Sequence, residues 1–371
     1  MPCDFPPHKT SGGPRRILAL SGGGVRGIVE VAFLEAVESV YQRRHGSQTR
    51  LCDVFDLVGG TSTGALIATA VSLGTPMPRI RDFYLDRAAQ FFRRKRWWRI
   101  GRAPIFDCDG LEAEFRREVG DITLGDPALQ TLLAIIIKRF DTGSAWIVNN
   151  IPTSPYFDDP PDGSFRGNRH FQLARLLRAS TAAPLYFSQE LIELGPDGQI
   201  GVFMDGGLSP YNDPSLALLQ LAGMRAFGLN WRLDAESMFV LSVGAGRARQ
   251  RIATAKASGM RPYRALPKAL GAMMRASEQH SLTMMEWMGT SPAPSPINSE
   301  VGTLESDTLG GKPLFTFLRL DLPLEPGEET GLTEAEARWL GGITDPDLIR
   351  PLYERAAAHA EKAWDLQALL R

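Results

Sequence analysis

One serine has the surroundings of a catalytic nucleophile. Ser62 lies at the centre of Gly60-Thr61-Ser62-Thr63-Gly64, which fits the G-x-S-x-G pattern of a sharp strand-to-helix turn. Glycines suit the two outer positions, because a Cβ there would collide with the neighbouring strand and helix backbone. The serine would then occupy a helix N-terminus, where unpaired amides favour developing negative charge. Such small-residue turns also occur by chance, so the interpretation depends on the rest of the chain.

A second glycine-rich segment lies one predicted helix upstream. Gly22-Gly23-Gly24-Val25-Arg26-Gly27 satisfies G-x-G-x-x-G, a dinucleotide-binding pattern. That function needs an acidic residue at the tip of the second strand, whereas Asp53 and Asp56 come before that tip. We favour an oxyanion hole, in which consecutive glycines expose backbone N–H groups. Arg26 would steady the loop or the oxyanion, or is a surface charge at a helix start.

A serine nucleophile also needs a base. The five histidines are His8, His45, His170, His280 and His359. Nothing marks any of them, although His170, which precedes a predicted helix, is the best candidate. Asp205 instead ends a predicted strand and precedes Gly206 and Gly207. A partly buried carboxylate can accept the serine proton because its pKa rises with burial. The alternative is an ordinary Asp-Gly turn.

The elements that must position these residues alternate between strand and helix. Apolar runs at Ile17–Leu20 and Leu57-Val58 predict two buried strands, separated by the glycine loop and an amphipathic helix. This βαβα order favours a parallel sheet, in which the first two loops open at the same edge. Later strands are predicted within Ala128–Lys138, Gly201–Met204, Phe239–Gly246 and Leu314–Leu320, and a pair of helices within Thr333–Arg371. The stretch 251–313 is rich in methionine and proline and is hard to assign.

Composition restricts the class of protein. The 371 residues are 43% hydrophobic, enough for one large core or two modest ones. The 41 basic residues balance 42 acidic ones, which excludes a molecule-wide polyanion binder. Three widely spaced cysteines suit a reducing compartment. With no signal segment and no run of about 18 apolar residues, we expect a cytoplasmic protein with a flexible arm at residues 1–14.

A basic and aromatic segment follows the helix predicted near residue 79. Its charged and aromatic members are Arg93, Arg94, Lys95, Arg96, Trp97 and Trp98. Cations beside large rings suit the interface of an anionic bilayer, and equally a charged ligand or nucleic acid. The alternatives are a partly buried aromatic pair on a solvated turn and an oligomer contact.

Three ordered motifs together resemble the patatin-like phospholipase family. The family's glycine-rich loop corresponds to Gly22–Gly27, its nucleophile elbow to Gly60–Gly64 and its Asp-Gly-Gly/Ala motif to Asp205–Gly207. The similarity runs from about Ile17 to Gly246. The order of the three motifs on one βα framework is far more specific than any one of them.

The resemblance implies roles for these residues. Ser62 would be the nucleophile and Asp205 the base of a dyad that needs no histidine, metal or cofactor. Amides of the glycine loop, lined by Arg26, would bind the oxyanion. The chain departs from the family at Asn212-Asp213-Pro214, where many members have Asn-Asn-Pro, so we expect local packing to differ.

The resemblance also implies a fold and a function. We expect a three-layer α/β/α fold with a mostly parallel central sheet, a catalytic domain at residues 15–322 and a helical extension at 323–371 packed on it. The implied reaction is phospholipase A-type hydrolysis of membrane glycerophospholipids at the inner face of the membrane.

Two further expectations concern partners. A diffuse similarity to bacterial patatin effectors of anti-phage defence suggests a cyclic oligonucleotide activator, and an oligomer is compatible with the sequence. The alternative function is a module that binds a nucleotide or a membrane through Gly22–Gly27 without hydrolysis. DNA and RNA are not expected partners.

Overall fold

The computed structural model describes residues 13–91, 106, 108–184, 186–195, 198–248 and 254–370. The predicted arm therefore lies outside the described residues except for its last two positions. The basic segment at residues 93–98 also lies outside them. Within the described ranges, no helix combines the length and the hydropathy that crossing a bilayer requires.

Among the described residues, an eight-stranded sheet forms the centre of the fold. Its strands are β1 (Arg15–Leu20), β2 (Leu57–Thr61), β3 (Leu132–Arg139), β4 (Ala145–Asn149), β5 (Glu190–Glu193), β6 (Ile200–Asp205), β7 (Met238–Val243) and β8 (Thr316–Leu320). Their order is β5-β6-β3-β2-β1-β7-β8, and β4 pairs with β3 outside this path. The neighbouring strands β3, β2, β1, β7 and β8 pair in parallel. β4 and β6 pair antiparallel with β3, and β5 pairs antiparallel with β6. The predicted mostly parallel sheet is confirmed.

Helices cover both faces of this sheet. They are α1 (Gly27–His45), α2 (Leu51–Val54), α3 (Thr63–Ser72), α4 (Met77–Phe91), α5 (Cys108–Val119), α6 (Leu173–Ser180), α7 (Ser215–Gly223), α8 (Thr254–Ser258), α9 (Pro262–Met288), α10 (Glu334–Leu340), α11 (Ile349–Ala363) and α12 (Leu366–Leu369). Side chains of β1 show why the strand is a continuous apolar run. Leu18 and Leu20 pack in a cluster that includes α1, α3 and α11, while Ile17 and Ala19 face a second cluster with α7 and α9.

The C-terminal helices complete the larger of these clusters. α11 lies against α1, with Leu352 and Ala356 fully buried between them. The Tyr353 hydroxyl donates to the Glu35 carboxylate of α1 at 2.6 Å. The sequence beyond the last strand therefore contributes to the core that supports the glycine loop at the start of α1.

Several elements escape the sequence analysis, among them β4, β5, α7 and α9. β4 and β5 have only five and four residues, and β5 alternates between buried and exposed positions at the edge of the sheet. α9 has 27 residues and falls in the stretch that the sequence left unassigned. Pro267 and Gly271 interrupt its helix propensity, so packing against the sheet and α7 must stabilise it.

Candidate active site

Ser62 occupies a strained turn between β2 and α3. Its backbone has φ 55° and ψ −123°, a conformation that L residues rarely adopt. A Cβ on Gly60 would lie 2.2 Å from the Gly64 carbonyl oxygen, and one on Gly64 would lie 2.4 Å from the Leu20 carbonyl oxygen. Both oxygens belong to packed backbone, so the steric prediction for these two glycines is confirmed. The turn leaves Ser62 half-buried at the start of α3.

The Ser62 hydroxyl faces a buried carboxylate. Ser62 Oγ donates to Asp205 Oδ2 at 2.8 Å, and Asp205 Oδ1 accepts from the Gly207 amide at 2.7 Å. Burial raises the pKa of Asp205 to about 6, although these two hydrogen bonds oppose the shift. At neutral pH the carboxylate is therefore ionised, and it is a stronger base than an exposed aspartate.

Asp205 reaches the serine on an antiparallel strand. β6 pairs with β5 along one edge and, along the other, with the last part of β3, where Asp205 lies opposite Ile137. The strand therefore enters from beyond the carboxyl edge of the parallel strands and ends at that edge. Gly206 follows, and a Cβ there would lie 2.3 Å from the Ile136 carbonyl oxygen. The glycine lets the strand tip approach β3 closely enough to meet the elbow.

Ser180 also positions the pair, although the sequence analysis did not single it out. Its hydroxyl accepts a hydrogen bond from the Ser62 amide at 2.8 Å and donates to the Ile136 carbonyl oxygen at 2.7 Å. Two residues later, the Ala182 carbonyl oxygen accepts from the Asp205 amide at 3.1 Å. The end of α6 therefore holds both residues. The signal in the sequence that could have found it is the run of small residues Ala179-Ser180-Thr181-Ala182-Ala183.

The glycine loop lies beside the serine, but two of its amides are already engaged. The Gly22 amide donates to the Asn212 carbonyl oxygen at 3.0 Å. The Gly27 amide turns back to the Gly24 carbonyl oxygen at the start of α1. The inclusion of Gly22 and Gly27 among the oxyanion residues is therefore corrected, because their amides support the loop itself.

Gly23 and Gly24 remain as candidate oxyanion donors. The Gly23 amide makes a long hydrogen bond of 3.2 Å to Thr63 Oγ1. No acceptor for the Gly24 amide lies within hydrogen-bond distance in the described part of the chain. Gly24 has φ 62°, and a Cβ there would lie 2.2 Å from the Ile343 carbonyl oxygen. Only glycine suits this position.

Arg26 connects the loop to the end of β7. Its Nη1 donates to the Gly246 carbonyl oxygen at 2.9 Å. Burial lowers the pKa of Arg26, and nearby carboxylates, Glu278 first among them, partly oppose that shift. Of the interpretations open for Arg26, this contact favours loop stabilisation over a surface charge.

A cavity of about 1320 Å³ opens onto Ser62 and Asp205. Its apolar wall includes Leu66, Phe83, Phe115, Phe187 and Leu282. Charged side chains, among them Arg26, Arg275 and Glu278, line another part of the cavity. A cavity of this size therefore suits a ligand with a long apolar part and a polar or charged end.

Comparisons with known proteins show the family of this chain. A family model described as patatin-like phospholipase matches residues 18–219, more than half of the sequence. The chain belongs to the patatin-like phospholipase family. All three motifs, from Gly22–Gly27 to Asp205–Gly207, lie within the matched residues.

The relatives of this patatin-like chain include bacterial and plant proteins. It is 25% identical over 236 residues to a cGAMP-activated phospholipase of Escherichia coli, covering 62% of this chain and 61% of that protein. It is 28% identical over 250 residues to patatin group M-3 of Solanum tuberosum, covering 62% and 60%. Patatin-like protein 2 of Oryza sativa is 28% identical over 224 residues, covering 56% and 52%. The chain thus spans little more than half the length of these relatives.

Similar solved structures are more distant. Human GIVD cytosolic phospholipase A2 aligns with 96% of this chain and 60% of its own, at a TM-score of 0.42 and 12% identity. VipD from Legionella pneumophila aligns with 92% of this chain and 67% of its own, at a TM-score of 0.36 and 14% identity.

Within this patatin-like site, the segment after the base motif joins the elbow to the glycine loop. Asn212 Nδ2 donates to the Gly22 carbonyl oxygen at 3.2 Å, and Thr61 Oγ1 donates to the Tyr211 carbonyl oxygen at 2.6 Å. Residues shortly after the Asp205–Gly207 motif therefore contact both the glycine loop and the elbow.

The departure at Asp213 from the family's asparagine has a structural explanation. Asp213 is fully buried, and its carboxylate accepts from Arg319 of β8 at 3.0 Å. Arg319 Nη1 also donates to Ser21 Oγ at 3.1 Å, directly before the glycine loop. Burial lowers the pKa of Arg319, but the neighbouring carboxylates, Asp321 foremost, outweigh burial and raise it. The aspartate supplies charge to an arginine buried beside the loop.

Among the histidines that the structure describes, none hydrogen-bonds to Ser62 or Asp205. His170 instead hydrogen-bonds to Asp159 Oδ2 at 2.7 Å on an exposed turn. His359 lies on the cavity wall, where burial lowers its pKa. Asp205 is therefore the base candidate that the geometry brings to the serine.

Proposed function

We propose that this protein is a serine lipid acyl hydrolase of the phospholipase A type, with Ser62 as nucleophile and Asp205 as base. The observation that carries the proposal is the 2.8 Å hydrogen bond from Ser62 Oγ to Asp205 Oδ2 in a strained elbow. Family membership supports a lipid substrate. The large cavity with an apolar wall supports a fatty-acyl ester of a glycerophospholipid.

The reaction would proceed in two steps. Asp205 accepts the hydroxyl proton while Ser62 Oγ attacks the ester carbonyl carbon. The amides of Gly23 and Gly24 are the proposed donors to the oxyanion, each stabilising the transition state by about 3 kcal/mol. Asp205 then returns the proton to the departing lysolipid oxygen, which leaves an acyl ester on Ser62. Water attacks this ester, Asp205 accepts a water proton, and Ser62 regains its proton as the fatty acid leaves.

A fluorophosphonate probe and vesicle substrates test this proposal. Wild-type protein should be labelled on Ser62 and should release fatty acid from phospholipid vesicles, whereas Ser62→Ala should do neither. Asp205→Asn should lower kcat/KM by about a hundredfold or more because the base is lost. The exposed Ser47→Ala serves as the matched serine control and should retain labelling and activity.

Two outcomes would contradict the proposal. A wild-type protein that no probe labels would favour a module that binds through Gly22–Gly27 without hydrolysis. Full activity in Asp205→Asn would instead contradict the role of Asp205 as base, and would leave the role of Ser62 as nucleophile intact.

We further propose that a cyclic oligonucleotide activates the enzyme against membrane lipids of its own cell, at the inner face of the membrane, in antiviral defence. The support is that relatives from Escherichia coli and Vibrio cholerae, 25% and 26% identical to this chain, are named cGAMP-activated phospholipases. The proposal therefore includes a binding site for a cyclic oligonucleotide on this chain.

A further inference from the structure

α9 has two faces with different surroundings. On its inner face, Leu270, Met274 and Glu278 line the cavity that contains Ser62. The helix lies close to the base motif, since a Cβ on Gly207 would be 2.8 Å from Met274 Cε. α9 therefore forms part of the cavity wall beside the base motif.

The outer face of the same helix is apolar and exposed. Its members, all of them exposed, are Leu266, Ala269, Ala272, Met273 and Ala276. At about 100° per residue they share a sector of about 120°, and every residue from 262 to 276 in that sector is apolar. Leu266 is 63% and Met273 67% exposed, the highest values among the large apolar side chains of the described residues. This outer stripe has no covering element within the part of the chain that the structure describes.

The surrounding sequence carries a strongly one-sided charge. Between Glu236 and Glu278 there is no acidic residue, whereas eight cations occur: Arg247, Arg249, Arg251, Lys256, Arg261, Arg264, Lys268 and Arg275. The whole chain, by contrast, has a net charge of −1. On the helical projection, Lys268 falls about 40° beyond one edge of the outer stripe, toward the cavity that it also lines, and Arg261 directly precedes the first residue of α9. Three of these cations, Arg264, Lys268 and Arg275, belong to α9, and its residues before Glu278 include no acidic one, which favours an anionic partner there.

We propose that the outer stripe of α9 docks on an anionic lipid bilayer, with Leu266 and Met273 inserted among the acyl chains and Arg261 and Lys268 at the phosphates. A helix with an apolar face bordered by cations suits the plane of a bilayer interface. Nucleic acid would require polar or aromatic groups on that face, and it has none. The inference rests on the lipid substrate proposed above, because the helix that would dock on the bilayer also lines the cavity that contains Ser62.

Vesicle flotation of the full-length chain tests the surface. The Ser62→Ala variant serves as the background so that the lipid stays intact and binding is measured without hydrolysis. It should bind phosphatidylcholine vesicles that contain phosphatidylglycerol, and salt should weaken this binding. Adding Leu266→Gln and Met273→Gln should reduce the affinity about tenfold or more, and Lys268→Gln should reduce it for anionic vesicles.

A control pair and a gain-of-binding pair sharpen the experiment. Leu191→Gln with Met224→Gln changes the same residue types at 52% and 50% exposure on other elements, and should leave binding unchanged. Ala269→Leu with Ala272→Leu adds apolar surface to the outer stripe and should strengthen binding. A gain of binding in a variant whose thermal unfolding matches that of the Ser62→Ala background would come from the added apolar surface and not from unfolding.

Several results would overturn the docking surface. Unchanged vesicle binding in the Leu266 and Met273 variant would do so, as would an equal loss in the control pair. If that variant only dissociates a dimer in sedimentation velocity, the stripe is an interface between copies. If an oligonucleotide but no vesicle binds the chain, the partner is nucleic acid. A protein that binds vesicles through this stripe but hydrolyses none would contradict the proposed function alone.

Discussion

Asp205 combines opposing requirements of folding and chemistry. Burial raises its pKa to about 6, so the folded protein holds a proton where the unfolded chain, with a pKa of about 3.9, does not. The stability from this group is therefore full below about pH 4 and is lost as the pH rises through about 6. The ionised carboxylate that the proposed reaction needs costs the fold about 3 kcal/mol.

The raised pKa of Asp205 predicts how the activity depends on pH. We predict that kcat/KM for a soluble short-chain ester rises tenfold per pH unit on the acid side and levels off above about pH 6. The physical reason is that only ionised Asp205 can accept the Ser62 proton. Initial rates at constant ionic strength across this range measure the profile.

Chemical denaturation of Asp205→Asn provides the control. The variant cannot ionise, so its free energy of unfolding should exceed that of wild type at pH 8 by more than it does at pH 4. A rate profile with the same midpoint in Asp205→Asn as in wild type would assign the titration to another group.

At the scale of elements, Gly64 determines how the elbow fits against the glycine loop. Its Cα faces the end of β1, so an added Cβ would lie 2.4 Å from the Leu20 and 2.6 Å from the Ser21 carbonyl oxygen. Neither oxygen can shift without moving β1 or the loop that follows it. The elbow and the glycine loop are therefore packed as one unit, although a whole helix separates them in the chain.

Gly64→Ala should consequently destabilise the fold and impair the site. We expect the free energy of unfolding to fall by about 3 kcal/mol or more, as measured by chemical denaturation. Gly271→Ala in α9 is the matched control, since its nearest neighbour would be a guanidinium nitrogen of Arg275 at 3.5 Å. That change should stabilise the helix by about 0.5–1 kcal/mol. Wild-type stability in Gly64→Ala would show that the backbone here is more adaptable than its packing indicates.

Over the whole molecule, the fold continues well beyond the family match. β7 and β8 extend the sheet past β1, and α11 covers α1. The Val25 amide in the glycine loop donates to the Ile343 carbonyl oxygen at 3.0 Å, which joins the loop directly to the C-terminal segment. A change in that segment would therefore reach the proposed oxyanion donors through one contact.

Activation by a cyclic oligonucleotide would involve the whole molecule. We expect the purified protein to release fatty acid slowly alone and about tenfold or more faster with one member of a panel of cyclic di- and trinucleotides. Linear forms of the same nucleotides are the control, and lipid mass spectrometry is the readout. Fast hydrolysis that no nucleotide changes would contradict the activator and leave the hydrolase proposal intact.

Local patterns in the chain were sufficient for the elbow, the glycine loop and the βα order. Each depends on glycines and apolar residues that are neighbours in sequence, where steric and hydrophobic effects act over a few positions. The strand that ends at Asp205 was predictable for the same reason. Its antiparallel direction was not, because direction depends on the partner strand.

Only the tertiary structure brought the distant groups together. Ser62 and Asp205 are 143 positions apart, and packing decides that they meet at 2.8 Å. The same packing removes Asp205 from water and so raises its pKa, an effect that no short stretch of sequence shows. It also decides which glycine amides are engaged, and it turns one face of α9 inward to the cavity while leaving the other uncovered.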